Sequence, residues 1–581
     1  MSTTRTTDNS PSSAPDGVEL IPSRRGGLTC RIRGRFYHSS FNPEEEAARI
    51  ISHYSDKKAA LIIGPGLGYL SRAWSSASHG SPALAVILSQ PTAAAAKEAF
   101  PDTSVPAGVI RISADDTNGL RDFLVSLDRN LLSNLAVIEN PAAAALFPEL
   151  VQTVHRNATR ITREVLSDLL TGLEFECIWA RNILRNIPSL LKSFRFLDHV
   201  GTASGAAVIA GAGPTLPDCF PFLRANRGRA PLFATDTTLP ALTEAGIQPD
   251  WVVSLDGQLH NLRDFNGIDT SSLRLLTEPT VYHAVPGLPF KEVVFFEAAE
   301  IIQTAKGAAV CSHPLILWIK QCLGEPGPTA SGGNVTTTAL ALASAMGYNS
   351  LYLVGVDNAF PGWSYHCRGS YTHRIDSNRC NRLNTVEKLG QERIRRRMLL
   401  LKKDYNGDRV LSDPVLEKFA LWSGEAARDQ TEKQHWRNLS PRAMRVHGIP
   451  CITPEKALEE ISGIATHKKT VRPKGFTDRE QEMRKRLEKL DASISGLLNS
   501  EIEPDEVSRL FGAFPFLNRT FGKQLLYIER KGGEENADFL LRELCYQLSR
   551  TRKHCRSALR DLCDKRFASP PEPDVKNGTP L

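Results

Sequence analysis

Short, wholly apolar runs alternate with helix-like stretches in two separate parts of the chain. In the first, "KKAALIIGPGLGYLSRAW" reads as a buried strand at Ala59–Ile63, a glycine loop from Gly64 to Gly68 and a helix. The runs "ALAVIL", "GVIRI" and "LAVIEN" continue the alternation to about Asn140. Apolar runs of this length spaced by helical segments indicate βαβ units, so a small Rossmann-like domain is expected over residues 18–140. Ahead of it, "LTCRIRGRFYHSS" has the composition of a β-hairpin. Asn42, Pro43 and the acidic Glu44 to Glu46 form the start signal of a helix.

From 141 to 199 apolar residues recur at three- and four-residue intervals, which predicts a helical connector. A second alternation, with strands expected at Ala206–Ala210, Leu232–Thr235, Trp251–Leu255, Val293–Glu297 and Ser350–Gly355, marks a central α/β domain over 200–465. Amphipathic stretches such as "DREQEMRKRLEKLDASISGLL" then predict a helical C-terminal domain over 466–567. Polar, Pro- and Ser-rich segments at 1–17 and 568–581 read as disordered tails.

Composition narrows the classes of function. The 581 residues are 41% hydrophobic and 23% charged, and 71 basic against 64 acidic residues leave a net charge of +7. So small an excess does not imply nucleic acid as a partner. The longest apolar region, "TTTALALASAMGYNSLYLVGV", is broken by Ser344, Gly347, Asn349 and Ser350, so no membrane span is expected. The N-terminus lacks the apolar core of a signal peptide. The 11 cysteines form no CxxC pair and read as reduced thiols. Both point to the cytoplasm.

Candidate chemistry gathers at the ends of the central strands. In "VIAGAGPTLPDC", the corner Gly211, Ala212, Gly213, Pro214, Thr215 follows a strand and opens a helix, an arrangement that offers backbone N–H groups to a phosphate. A bare strand-to-helix turn explains the same residues. Thr235 with Asp236, and Asp256 with Gly257, follow the next two strands, and carboxyl ends of parallel strands are where open α/β sheets bind ligands. Helix capping is the competing role for both aspartates. Ser331, Gly332, Gly333 and Asn334 start a Thr- and Ala-rich helix, a second anion-binding terminus. Asp357 ends a buried strand, and His366 in the loop beyond it is the best-placed general base, its alternative being an ordinary loop histidine. The spacing of His366, Cys367, His373 and Cys380 matches no familiar zinc motif.

Taken in order, "GAGPTL", "AGIQPDWVVSLDG", "SGGNVTTTALALASAMG", "LVGVDNAF" and "NLSPRAMRVHGI" resemble the motility accessory factor (Maf) family and its relative, the archaeal 6-hydroxymethylpterin diphosphokinase MptE. The resemblance implies a sialyltransferase-like central domain. It also implies a flagellin glycosyltransferase that moves a nonulosonic acid from its CMP-activated form to Ser or Thr, with no cofactor required. Gly211, Gly213, Pro214 and Thr215 would hold the cytidine monophosphate. Thr235, Asp236 and Asp256 would line the donor pocket, and Ser331 to Asn334 would meet phosphate or sugar carboxylate. His366, with Asp357 beside it, would activate the acceptor hydroxyl. The chain departs from the family at Thr215, where serine is commoner, at Gly257, where proline often follows the aspartate, and at Asn358, usually leucine.

Two other functions fit the same residues. A diphosphokinase on this fold would need ATP and Mg²⁺, with Asp256 or Asp357 as metal ligand. A binding or assembly protein would keep the fold without turnover and use surfaces such as the basic stretch Arg393 to Lys403, expected as a helix. The N-terminal glycine loop invites a methyltransferase reading, but "VILSQP" offers no acidic residue at the next strand end to hold a ribose.

Overall fold

The computed structural model describes residues 18–77, 83–87, 109–127, 131–132, 134–304, 307–330, 332–429, 435–468, 476, 479–500, 504–522 and 537–563. The tails at 1–17 and 568–581, and Ser331, lie outside them. The chain divides into two compact units, 1–174 and 175–581.

In the first unit, β1 (Val18–Pro22), β2 (Leu28–Ile32) and β3 (Arg35–Phe36) form an antiparallel meander. Asn42 caps α1 (Pro43–Ser52), its side chain accepting the Glu45 N–H. A parallel sheet follows, with β4 (Ala59–Ile63), β5 (Ala83–Ile87), β6 (Ile110–Ser113) and β7 (Leu135–Glu139) in the order β6-β5-β4-β7. The glycine loop between β4 and α2 (Tyr69–Ala77) is filled by the unit's own side chains. The Leu67 N–H donates to His38 Nε2 at 2.9 Å, and a Cβ at Gly66 would fall 2.6 Å from the Tyr37 ring. Burial and the Arg72 charge push His38 down to about 3, so the ring stays neutral and can accept that bond.

A single helix, α3 (Pro148–Leu191), accounts for the long periodic stretch. The second unit is built on an eight-stranded sheet of β8 (Phe194–Arg195), β9 (Ala206–Ala210), β10 (Leu232–Thr235), β11 (Trp251–Ser254), β12 (Arg274–Thr277), β13 (Glu292–Phe295), β14 (Ser350–Val354) and β15 (His435–Asn438). Every pairing is parallel, in the order β15-β14-β9-β10-β11-β12-β13-β8. Parallel strands covered on both faces need apolar residues at every position, and β9 and β14 are buried throughout.

Alternation of side chains sends Ala207 and Ile209 to one face, where they join Ala339, Leu340 and Ala343 of α5 (Val335–Met346), and Ala206, Val208 and Ala210 to the other, with Phe222, Tyr352 and Ile461. Ile183, Ile187 and Leu190 of α3 share a further core with α4 (Pro314–Leu323), α8 (Glu480–Asn499) and α9 (Ala537–Cys563).

The chain moves outward from β9 through β13, then returns to place β14 on the other side of β9. Strand order therefore reverses between β9 and β14, and a crevice opens at such a reversal outside the strands' carboxyl ends.

Candidate active site at the carboxyl edge of the large sheet

The corner after β9 is knitted to the end of β14. The Gly211 N–H donates to the Val354 carbonyl at 2.9 Å and the Gly213 N–H to the Gly355 carbonyl at 2.8 Å. The Thr215 N–H donates to Asp357 Oδ2 at 2.9 Å, while the Thr215 hydroxyl hydrogen-bonds both Asp357 Oδ1 and, at 2.7 Å, Ser440. These donors, which the spacing assigns to a phosphate, are thus used within the protein. The segment after the corner is a short 3-10 turn, Leu216–Cys219. A Cβ at Gly213 would lie 2.5 Å from both Asp357 Oδ2 and the Gly355 carbonyl, so glycine is required here by the close approach of two strand ends.

Carboxyl groups line the rest of the edge. Asp236 opens the turn after β10 and accepts the Thr237 N–H at 2.8 Å, and its other carboxylate oxygen is buried, with the Ser254 hydroxyl as its neighbour. Thr235, the last residue of β10, accepts the Thr238 hydroxyl at its carbonyl. Asp256 accepts the Gln258 N–H and pairs with His260 at 2.9 Å. Asp264, in the following 3-10 segment, sits close enough to Asp236 and Asp256 to feel both charges. Burial, helped by those two neighbours, raises Asp264 to about 7. Burial likewise raises Asp236 and Asp357 to about 6, and Glu278, at the end of β12, to about 7. Each can exchange a proton near neutrality, the property wanted in acid–base groups.

Asp264 and Glu278 are site residues that the motif search passes over. Glu278 had a readable signal: an acidic residue follows directly or within two or three positions at the ends of β10 to β14, as Asp236, Asp256, Glu278, Glu297 and Asp357.

The segment from Gly332 to Asn334 does stand at this edge, because α5 runs back beneath the sheet toward β14. Asn334 caps α5 in a capping box with Thr337, its side chain accepting the Thr337 N–H at 2.7 Å. Gly332 lies against Trp422, where a Cβ would come within 2.5 Å of the indole.

His366 stands in a loop anchored to the glycine corner, since the neighbouring Cys367 N–H donates to the Ala212 carbonyl at 2.9 Å. The imidazole Nδ1 meets the Thr372 hydroxyl at 3.3 Å, whereas Asp357 is bonded to Thr215. The structure thus joins Asp357 to the corner and His366 to the start of α6 (Tyr371–Arg379), not to each other. Burial, then the Arg393 and Arg397 charges, push His366 down to about 4, well below the free imidazole range.

Those arginines explain part of the basic stretch. Arg393, at the end of α7 (Val386–Arg395), pairs through both nitrogens with Asp376, and Arg397 pairs with Asp413 and the Tyr365 hydroxyl. The helix ends there, and Leu400–Lys403 is a strand. Asn358, a family departure, adopts φ +47°, a left-handed conformation that asparagine tolerates better than leucine.

On the opposite side, α3 clamps the loops after β11 and β12. Asn182 Nδ2 donates to the carbonyls of Gly257 (2.8 Å) and Thr280 (2.9 Å), and Asn186 Nδ2 to those of Pro279 (2.8 Å) and Val281 (2.9 Å). A Cβ at Gly257 would lie 3.1 Å from Asn182 Nδ2 and 2.9 Å from the Thr280 carbonyl. The close passage of the helix accounts for this glycine.

Acidic residues at successive strand ends and a strand-order reversal between β9 and β14 mark a doubly wound α/β fold. Residues 181–362 match the family model described as 6-hydroxymethylpterin diphosphokinase MptE-like. A Maf glycosyltransferase from Magnetospirillum magneticum AMB-1 shares the fold, with a TM-score of 0.51 at 15% identity, over 95% of this chain and 91% of that one. The likeness to the Maf and MptE group thus holds at the level of the central domain and of the overall fold. Two proteins of Treponema pallidum (strain Nichols), each named only as uncharacterized, are 29% identical over 114 residues and 32% identical over 133 residues. The chain spans 54% of the first and 33% of the second, and the matches take in 20% and 22% of its own length. No helix among the described residues is long and apolar enough to cross a membrane.

Proposed function

We propose that the protein is a glycosyltransferase that moves a nonulosonic, sialic-acid-like sugar from a CMP-activated donor to Ser or Thr of flagellin in the cytoplasm, in support of flagellar assembly and motility. The likeness of fold to a Maf glycosyltransferase along almost the whole chain carries this reading. The crevice supplies the chemistry. Asp236, Asp256 and Thr235 stand on the donor side. The N-terminus of α5, behind Gly332, Gly333 and Asn334, offers N–H groups and the helix dipole to the leaving phosphate, so no metal is required. The corner Gly211 to Thr215 shapes the floor between β9 and β14. His366, neutral at physiological pH, takes the proton of the acceptor hydroxyl.

The match to a diphosphokinase family model favours a second reading, ATP- and Mg²⁺-dependent transfer to a pterin, with Asp256 or Asp357 toward the metal. Thermal stabilisation by CMP or a CMP-sugar that survives EDTA, with sugar added to co-expressed flagellin by intact mass, supports the transferase. Stabilisation by ATP only with Mg²⁺ would replace it with the kinase. Response to neither ligand would leave a binding protein.

A further inference from the structure

Five nitrogen-bearing side chains near the clamped loops lie close enough to feel one another's charge. Arg181 and Arg185 lie one turn apart on α3, and Arg550 and His554 one turn apart on α9. His283 follows Tyr282, whose N–H donates to the Asp256 carbonyl at 3.0 Å. The Arg181 guanidinium sits 6.0 Å from the centre of the Tyr282 ring, and the Tyr282 and His283 rings are 4.7 Å apart. Asn186, between Arg185 and the loop, holds the Val281 carbonyl.

Among the described residues, none of the five pairs with a carboxylate; Arg181 donates from Nε and Nη2 to Asn182 Oδ1, at 3.2 and 3.1 Å, and keeps its other terminal nitrogen for a ligand. The contrast within α9 is direct, since Arg552 and Arg556 both pair with Asp491, at 3.1 and 3.0 Å. Three buried nitrogens in the group, Arg185 Nε, His283 Nδ1 and His554 Nδ1, have no hydrogen-bond partner among the described residues. Folded proteins seldom leave such atoms unmatched without a ligand, ion or water to meet them. The charges also oppose one another. Burial first, then Arg185 and Arg181, lower His283 to about 4, and burial with Arg181, Arg185, Arg550 and His283 does the same to His554.

We propose that Arg181, Arg185, His283, Arg550 and His554 form a binding site for a phosphate-class oxyanion. Guanidinium forks and imidazole N–H groups match a small tetrahedral anion with several acceptor oxygens. The setting between two helices and a loop, half-buried at Arg181, Arg185, His283 and His554 and open to solvent at Arg550, suits such an ion better than an extended polyanion. The phosphate could belong to a nucleotide bound along the neighbouring β11 loop or be free inorganic phosphate. The site does not depend on the transferase reading, and its test involves no turnover.

Calorimetric titration of the full chain at fixed ionic strength, with inorganic phosphate and CMP as separate probes and chloride as control, decides the matter. Saturable binding of at least one probe is expected. Arg185→Gln and Arg550→Gln should each weaken it tenfold or more, and Arg185→Lys should recover part of the loss. Arg552→Gln, on the same helix but facing Asp491, should bind as wild type. CMP binding weakened by both arginine substitutions would identify the source as a nucleotide, and phosphate binding alone as the free ion, whereas CMP binding that both variants retain belongs to the crevice and does not count for this site. Absence of saturable binding to wild type, or equal affinity in folded Arg185→Gln and Arg550→Gln proteins as judged by circular dichroism, would overturn the assignment.

Discussion

Replacing Asp357 with asparagine should stabilise the protein at pH 8 and change it little near pH 4. The buried carboxyl of Asp357 is raised by burial from 3.8 to about 6, so the folded chain holds this proton more tightly than the unfolded one. Folding is therefore favoured at low pH. As pH climbs from 3.8 toward 6 the unfolded state releases the proton first, and stability falls. At about 1.36 kcal/mol per pH unit, the loss is about 3 kcal/mol, complete by pH 7 to 8, and roughly half of it remains to be lost above pH 5. Asparagine escapes this cost while keeping the geometry of the protonated acid. Its Oδ1 can accept the Thr215 N–H, and its amide can donate to the Thr215 hydroxyl, the two groups that Asp357 engages. Urea unfolding of wild type and Asp357→Asn, followed by tryptophan fluorescence at pH 5, 6, 7 and 8, measures the difference. The variant should gain about 1 kcal/mol on wild type between the lowest and highest pH. A constant difference across the series would refute the reasoning, as would a variant less stable at pH 8.

Other consequences follow from the same edge. Gly213→Val should lower the melting temperature by several degrees whatever the ligand, because its Cβ would press on Asp357 and the Gly355 carbonyl; a variant as stable as wild type with CMP binding lost would instead make the corner a ligand contact. His366→Ala should cut sugar transfer by about 10²- to 10⁴-fold with CMP affinity unchanged. Because burial and two arginines hold His366 near 4, the wild-type rate should stay level from pH 8 to 5 and fall only below that; a falling limb centred near 6.5 would mean that the proton acceptor is another group.

Much of the fold is legible where one local rule decides the outcome. Asn42 and Pro43 announce α1, and the runs Ala59–Ile63, Ala206–Ala210 and Leu232–Thr235 are strands as the apolar pattern implies, since strands buried on both faces leave an unbroken hydrophobic signature. The outer strands are less visible. β15, at the sheet's edge, is "HWRN", because an edge position can keep polar residues and lose that signature.

The site is legible in part for the same reason. Asp236, Asp256 and Asp357 stand at strand ends that pattern alone locates. What the corner N–H groups bond to depends on which strand lies beside β9, and that is β14, about 140 residues away in sequence. The depression of His366 arises from Arg393 and Arg397, placed by the turn out of α7. The cationic group beside the β12 loop draws on three segments, the last beginning at Ala537, and no spacing within one motif could reveal it.

The asparagine clamp bears on how this crevice can change over generations. Asn182 and Asn186 grip main-chain carbonyls at Gly257, Pro279, Thr280 and Val281, groups that every amino acid carries. Side chains along those loops can therefore be exchanged without loosening the grip, which leaves ligand preference free to drift. Insertions and deletions are another matter. Adding or removing one residue beside a clamped carbonyl would shift it off its amide and strand a buried donor. The β11 and β12 loops should thus vary in composition yet keep their lengths, with the αβ scaffold acting as a fixed gauge for whatever ligand they come to hold.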